Sequence, residues 1–424
     1  MAQRPDDLPR HLAATVREGL AAFRVVVLTG ARQAGKSTLA RRLCRARRGT
    51  YRTLDNPEVL AAARSDPRGI LAGAPPVTID EVQRGGDTLI RAIKSHVDSQ
   101  PRPGAFLLTG STRFLTVPSL SESLAGRAEI LELWPFSQGE LRRVRDGLAE
   151  RLLGPADEVR KLKPAALDRT AAAELVCRGG YPEVQRLAPR LRGRWFASYV
   201  KTVTERDVLE VSRLRRADEL PRLLQLLAGR TAQEVNLQAI SGALGIPRST
   251  LIDYVAALRT LHLWYEIPAW SRSVSSKVVR HAKGHLTDVG LCAWLLGTGP
   301  EALADPACPW MGPLLETLVA GELARQRTWS AVDHQLHHYR DRAGPEVDLV
   351  LEARDGRLAG VEVKSSLSVS QADFAALRLL RDRTGAAFRH GVVLYLGGEV
   401  LAFGERLTAL PLAALWTRTS PRSA

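Results

Sequence analysis

The sequence predicts an α/β protein in three units: a mostly parallel sheet with helices on its faces, a largely helical middle, and a second α/β unit beyond it. Three observations carry this expectation. Through the first 145 residues, short apolar runs alternate with stretches of helical periodicity, the pattern of strands joined by crossover helices. From about Thr170 to Leu296 the pattern turns almost wholly helical. Past the Gly/Pro-rich joint GTGPEALADPACPWMGP, apolar strands return. A chain of 424 residues is too long for one ordinary core and is expected to divide into about two to three domains. The shifts in pattern put the units at 1–165, 166–300 and 301–424.

The first unit opens on the strand VVVLTG, followed by a loop, a helix from Lys36, and the strands YRTLD, PVTIDEV and AFLLTGS. The loop Gly30-Ala31-Arg32-Gln33-Ala34-Gly35-Lys36-Ser37 fits GxxxxGK[ST] in full, with Thr38 next. A strand before it and a helix after it are the context that the motif requires. Its glycines let backbone N–H groups curl around phosphate oxygens, and the helix N-terminus adds partial positive charge. Lys36 is expected to reach the β and γ phosphates of ATP, and the Ser37 hydroxyl to coordinate Mg²⁺.

The third strand ends in Asp80-Glu81. Asp80 is expected on the Mg²⁺ side and Glu81 beside the attacking water, which it would orient and polarise. The other reading of the acidic pair is a helix N-cap signal. FLLTGSTRF ends in small hydroxyl residues. Either Ser111 or Thr112 reaches the γ-phosphate or the water, or the hydroxyls cap the following helix. In SESLAGRAEILEL, Arg127 follows a small-residue turn. From there it would reach a γ-phosphate in cis or across a subunit interface, unless it is an ordinary surface arginine. A polar stretch from Arg142 to Arg169 reads as a helix-and-loop excursion.

This order of motifs carries a resemblance. GARQAGKST, TIDEVQ, LLTGST, SLAGR, CRGGYPE, YVKTVTERD and YRDRAGPEVDLVLE with VEVKSS together resemble a prokaryotic family of AAA+-superfamily ATPases whose C-terminal domain is of unknown function. The resemblance runs from about residue 20 to 400. The Walker-type motifs are general to P-loop ATPases, whereas the GGYPE and ERD segments make it specific. It implies nucleotide and Mg²⁺ on Lys36 and Ser37, a Walker B pair in Asp80 and Glu81, and a sensor-type residue in Ser111.

In the middle unit, NLQAISGALGIPRSTLIDYVAALRTLHLWYEIPAW resembles a winged helix-turn-helix. Leu237, Ile240 and Leu244 form one apolar stripe, Gly245 ends that helix, and Leu251, Tyr254, Val255, Leu258 and Leu261 continue at helical spacing. In a DNA-binding version, Arg248, Ser249 and Thr250 would approach base edges, and Arg272, Lys277 and Arg280 of the wing would touch phosphates. Lys277 and Lys283 in the wing favour nucleic acid; a lid or a protein-contact surface is the competing reading. Arg206 in TERD either senses nucleotide or pairs on a helix surface.

In the C-terminal unit a helix from Leu314 to Arg327 precedes the strands HHYRD, EVDLVLE, LAGVEVKSS and GVVLYLG. Asp348 lies in one strand, and Glu362 and Lys364 share a face of another by period two. Glu316 and Glu322 lie on the helix. This arrangement resembles the core of PD-(D/E)xK nucleases (the restriction-endonuclease-like fold), although no Pro precedes Asp348. The resemblance implies a Mg²⁺ or Mn²⁺ site on Glu316, Asp348 and Glu362, with Lys364 beside it. Cleavage and inactive binding are both open to such a fold.

Composition bounds the partners. The formal charge is +15 with 60 Lys and Arg against 45 Asp and Glu, which favours a polyanion, DNA first, tempered by an Arg-rich bias that leaves few lysines. No run approaches the length of a membrane span, no secretory signal is visible, and four scattered cysteines lack metal spacing. A cytoplasmic setting is expected. The leading reading is an ATPase acting on or with DNA and carrying a nuclease-like domain. The alternatives are a nucleotide-dependent switch that binds a protein partner, and an ATP-tuned winged-helix regulator. A homo-oligomer is compatible with each.

Overall fold

The computed structural model describes residues 8–110, 124–207, 219–271, 281–341 and 344–418. Ser111, Thr112, Arg272, Lys277 and Arg280 lie outside them, as does the side chain of Arg206.

Helix α1 (Leu12–Ala22) leads into a parallel sheet of β1 (Val25–Thr29), β2 (Thr50–Thr53), β3 (Val77–Asp80), β4 (Phe106–Thr109) and β5 (Ala128–Glu132). The spatial order is β2-β3-β4-β1-β5, and every pairing is parallel. All five residues of β1 are buried, because β1 is an inner strand with both faces covered. Period two divides its side chains between two cores. Val25 and Val27 join Ile79, Phe106 and Leu108 on one face, while Val26 and Leu28 join Leu107, α1 and helix α2 (Lys36–Ala46) on the other.

The sequence reading missed β5. Its AEILE pattern is half-buried and carries Ile130 at 51% exposed. It lies at the sheet edge, where one side needs no apolar cover.

The middle unit holds α3 (Arg169–Arg178), α4 (Pro189–Thr202), α5 (Leu237–Leu244) and α6 (Arg248–Thr260). Asn236 caps α5 by accepting from the Ala239 N–H at 3.0 Å, and Gly245, at φ 67°, ends it. Strands β6 (Gln233–Glu234), β7 (Trp264–Ile267) and β8 (Lys283–Leu286) form a small antiparallel sheet in the order β6-β8-β7.

In the C-terminal unit, α7 (Met311–Arg327) precedes β9 (His334–Arg340), β10 (Glu346–Ala353) and β11 (Leu358–Val363). Helix α8 (Ala375–Thr384) crosses to β12 (Phe388–Tyr395), followed by β13 (Leu401–Ala402) and β14 (Leu407–Pro411). The sheet is mixed, in the order β13-β14-β12-β11-β10-β9. The β11–β12 and β12–β14 pairs are parallel and the others antiparallel. The three units share packing: Leu152, Val176, Leu258, Leu318 and Val361 belong to one continuous buried cluster. Among the described residues no helix is long and apolar enough to cross a membrane.

Candidate functional site

The loop between β1 and α2 takes a conformation that its glycines permit. Gly30 sits at φ +136°, and a Cβ there would lie 2.1 Å from the Leu133 carbonyl. No larger residue fits that approach. Gly35, at φ 98°, starts α2 in place of a side-chain cap, so the first N–H groups of the helix are left for a ligand. Lys36 is 7% exposed and its Nζ donates to the carbonyls of Gly30 and Ala31, each at 2.9 Å. Arg32 and Gln33 are exposed, Ala31 and Ala34 are buried, and Thr38 is half-buried in the first turn of α2.

Parallel pairing brings the C-terminal end of β3 to the same end of the sheet as the loop. Ser37 Oγ donates to Asp80 Oδ1 at 2.9 Å. Three further hydroxyls hold Asp80: Tyr51 donates at 2.8 Å and Thr53 at 3.4 Å to Oδ2, and Thr109 donates to Oδ1. Oxygen donors meeting a buried carboxylate suit a hard divalent cation. Glu81, next in the chain, sits in the left-handed region at φ 56° and accepts from the Gln83 amide at 2.5 Å. Burial pushes its carboxyl above the ordinary carboxylate range, against the opposing pull of Gln83 and Lys36. A strained, partly desolvated acid at a strand end is a common feature of reacting sites.

Lys36, Ser37, Asp80 and Glu81 are therefore brought together as expected. Sequence reasoning missed Thr109, which touches Asp80 and also accepts from the Glu81 N–H at 3.3 Å. The TGST run pointed two residues further on, to Ser111.

Arg127 requires a correction. It precedes β5, which pairs in parallel with β1 from Val25 to Thr29, so it lies at the end of the strands opposite the loop. Five residue steps at about 3.3 Å separate it from Glu132, the partner of Thr29, and put it roughly 16 Å down the sheet, beyond reach of a phosphate in cis. Its guanidinium instead grips Asp98, at 2.5 and 3.1 Å.

Two contacts hold the loop from outside. Arg10, 8% exposed, donates to the Ala34 carbonyl at 3.1 Å and to the Trp134 carbonyl. It also pairs with Glu140 at 3.3 Å and lies 4.4 Å from the Phe136 ring centroid. From the middle unit, Tyr199 on α4 donates to the Arg32 carbonyl at 3.4 Å and shares a 2.8 Å hydroxyl contact with Tyr181 of the GGYPE segment. Val203–Asp207, which contains ERD, continues α4 as a π turn.

At the start of α6, Arg248 and Ser249 are exposed and Thr250 is half-buried, while Leu251, Tyr254, Val255 and Leu258 face the core. The outward face also carries Ile252, 45% exposed, and Asp253. Lys283 corrects the reading of the wing. It is 3% exposed and turns inward, so it has no free ammonium to offer a phosphate.

Its partners are the C-terminal acids. Lys283 Nζ lies 2.7 Å from Glu316 on α7, 2.5 Å from Glu346 and 3.5 Å from Asp348 on β10. The β10–β11 register sets Asp348 across from Glu362, and Asp348 also accepts from the Val363 N–H at 2.9 Å. Burial pushes the Glu316 carboxyl up to about 8, with Asp348 adding to it. Burial and Asp348 likewise hold Glu362 well above the carboxylate range. Burial works against the Lys283 ammonium, yet Glu316, Asp348 and Glu346 outweigh it and raise its affinity for the proton. Lys364 stands apart, 37% exposed and 4.0 Å from both Glu362 and Asp373. Glu316 and Asp348 thus converge as expected, with Glu362 beside Asp348, but the point on which Glu316 and Asp348 meet is a lysine of the middle unit. Among the described residues no group of three or more His, Cys, Asp or Glu is disposed to hold a metal ion, so the implied metal does not fit this cluster as it stands. Glu322 is absent from it, facing the Gln138 N–H at 3.0 Å instead.

Comparison with known proteins follows the same three-part division. Residues 22–142 match the family described as an AAA domain, residues 169–302 a domain of unknown function (DUF8612), and residues 311–415 a domain of unknown function (DUF4143). The uncharacterized proteins Rv2008c of Mycobacterium tuberculosis and Mb2031c of Mycobacterium bovis are each 30% identical over 421 residues, covering 97% of this chain and 85% of theirs. Among solved structures, the Walker-type ATPase PABY2304 of Pyrococcus abyssi aligns with 69% of this chain and 97% of its own, at 18% identity and a TM-score of 0.43. The RuvB Holliday junction branch migration motor of Thermotoga maritima aligns with 62% of this chain and 90% of its own, at 21% identity and a TM-score of 0.28. With the AAA domain at its head and a full-length relative beside it, the chain belongs to the family of AAA+ ATPases that carry a C-terminal domain of unknown function.

Proposed function

We propose that this chain hydrolyses MgATP at the β1–α2 loop and uses the cycle to act with DNA held by its middle unit. One observation carries the reading: the Ser37 hydroxyl and Asp80 carboxylate meet at 2.9 Å, with Lys36 and Glu81 on either side. Lys36 and the first N–H groups of α2 would bind the phosphates, and Ser37 and Asp80 would hold Mg²⁺, which neutralises charge on the phosphate oxygens. Glu81 would orient the attacking water and draw on its proton. Its raised proton affinity suits that task, since a base serves best with a pKa near the working pH. Thr109 would keep Asp80 and Glu81 in register.

The DNA part of the proposal rests on Arg248 and Ser249 at the exposed start of α6, on a helix-turn-helix followed by an antiparallel strand pair, and on the net charge of +15. The protein-partner reading draws support from Ile252 and Asp253 on that same outward face. The free thiols of Cys44, Cys177, Cys292 and Cys308 accord with the reducing cytosol.

The test is steady-state ATP turnover with and without duplex DNA at low salt, with Glu81→Gln as the control. DNA stimulation lost in Arg248→Ala supports the reading. Turnover indifferent to DNA would shift the middle unit to a protein partner, and turnover unchanged by Glu81→Gln would remove the water-orienting role.

A further inference from the structure

The C-terminal cluster departs from what its fold resemblance implies, and that departure has a definite geometry. Three carboxylates from two elements, Glu316 on α7 with Glu346 and Asp348 on β10, surround one point at 2.7, 2.5 and 3.5 Å. The atom at that point is Lys283 Nζ, carried in on β8 of the middle unit. The lysine is fixed from both sides. Its strand pairs with β6 and β7, and its side chain is 4% exposed. An ammonium and a divalent cation cannot share one ring of carboxylates, because each would have to displace the other.

We propose that Lys283 stands in for the metal: the cluster is an ion-pair socket that docks β8 of the middle unit onto the C-terminal sheet, and it leaves this nuclease-like domain without phosphodiester cleavage. Lys364 fits the same picture. A lysine that assists a metal-bound water belongs beside the ion, whereas Lys364 reaches outward between Glu362 and Asp373 at 4.0 Å from each.

The inference goes beyond the ATPase reading and does not depend on it. Its test uses the full chain without nucleotide and Mn²⁺ as the probe, counting free Mn²⁺ by electron paramagnetic resonance. Wild type and Asp348→Asn are expected to bind the same amount of Mn²⁺, since the cluster takes none while Lys283 occupies it. Lys283→Met, which keeps length and removes charge, is expected to gain one Mn²⁺ per chain, and adding Asp348→Asn should abolish that gain. Mn²⁺ bound by wild type and lost in Asp348→Asn would overturn the proposal, as would Asp348-dependent nicking of a plasmid by wild type. A folded Lys283→Met that gains no Mn²⁺ would overturn it too. The comparison of wild type with Asp348→Asn decides the matter even if Lys283→Met does not fold. ATP turnover measured on the same preparations reports separately on the ATPase reading.

Discussion

Arg10 offers the sharpest perturbation of the nucleotide loop, because it touches the loop without being part of it. Its guanidinium links the Ala34 carbonyl to the Trp134 carbonyl and Glu140, with the Phe136 ring against it. Arg10→Met removes the charge and both carbonyl contacts, leaving Glu140, 1% exposed, with neutral donors alone: the N–H groups of His11 and Ser137. Breaking a buried pair from one side costs about 3–5 kcal/mol. In a unit of this size each kcal/mol moves the melting temperature by about 2–4 °C, so a fall of roughly 6–20 °C is expected. Ala34 immediately precedes the helix-starting Gly35, so the loop loses an anchor where its N–H groups must be aimed. A tenfold loss of ATP affinity, about 1.4 kcal/mol, is the expected size. Arg10→Lys keeps a charge for Glu140 but cannot span two carbonyls as a planar fork does. It should recover much of the melting temperature and little of the affinity. The assays are thermal unfolding and titration with a fluorescent ATP analogue. If Arg10→Met melts low but binds nucleotide like wild type, Arg10 supports the fold and has no part in aiming the loop.

Three further outcomes follow from the geometry. Thr109→Val removes the hydroxyl that touches both Asp80 and the Glu81 N–H; turnover should fall about tenfold or more with ATP affinity little changed, checked by separating kcat from KM. Arg127→Ala should leave turnover within about twofold of wild type at protein concentrations too low for self-association, since its partner is Asp98 at the end of the sheet opposite the loop; a larger loss in the monomer would refute its placement. Burial outweighs Arg325 and raises the Glu322 carboxyl to about 8, against an unfolded value near 4.5. A carboxyl raised on folding contributes stability below its unfolded pKa and loses it as pH rises through the folded one. Glu322→Gln should therefore melt close to wild type at pH 5 and gain on it progressively between pH 5 and 8.5; a constant offset across that range would contradict the burial argument.

The nucleotide site was legible because its motif is contiguous. Gly30 to Ser37 is one loop, and the Asp80-Glu81 pair closes one strand, so local order alone predicts their meeting. Thr109 was less legible because the strand end offers several hydroxyls within four residues, and the sequence does not say which turns toward Asp80. Arg10 gives no signal at all: one arginine in an Arg-rich chain acquires meaning only when residues 24 and 124 positions away fold against it. Lys283 shows the limit most clearly. Its rarity in this composition marked it as meaningful, but rarity carries no direction. Its position in a basic stretch pointed to phosphates, whereas strand pairing turned it toward acids 33 and 65 residues downstream. Asp348, Glu362 and Glu316 were legible as a converging set because period two and helix position are local. The cation among them belongs to another unit, and no local pattern contains it.

Helix α7 explains why the units cannot be treated as separate machines. Residues are buried around nearly its whole circumference, so it has no solvent stripe and its amphipathic period is suppressed. Glu316 on this helix meets Lys283. About 9 Å further along the helix axis, by 1.5 Å per residue, Glu322 accepts from Gln138, and Arg325 donates to the carbonyls of Pro135 and Thr287 at 2.9 and 3.2 Å. Gln326 bonds the Leu415 carbonyl and the Ala149 N–H. One rigid element thus ties the segment after β5, the middle unit and the C-terminal sheet together through buried polar contacts, which are costly to leave unmade. Residues 134–140, to which the ATPase-side end of α7 is bonded, also hold Arg10, and Arg10 holds Ala34. Buried contacts therefore run without a break from Ala34 through Arg10 and residues 134–140 to α7, the helix that carries Glu316 to Lys283.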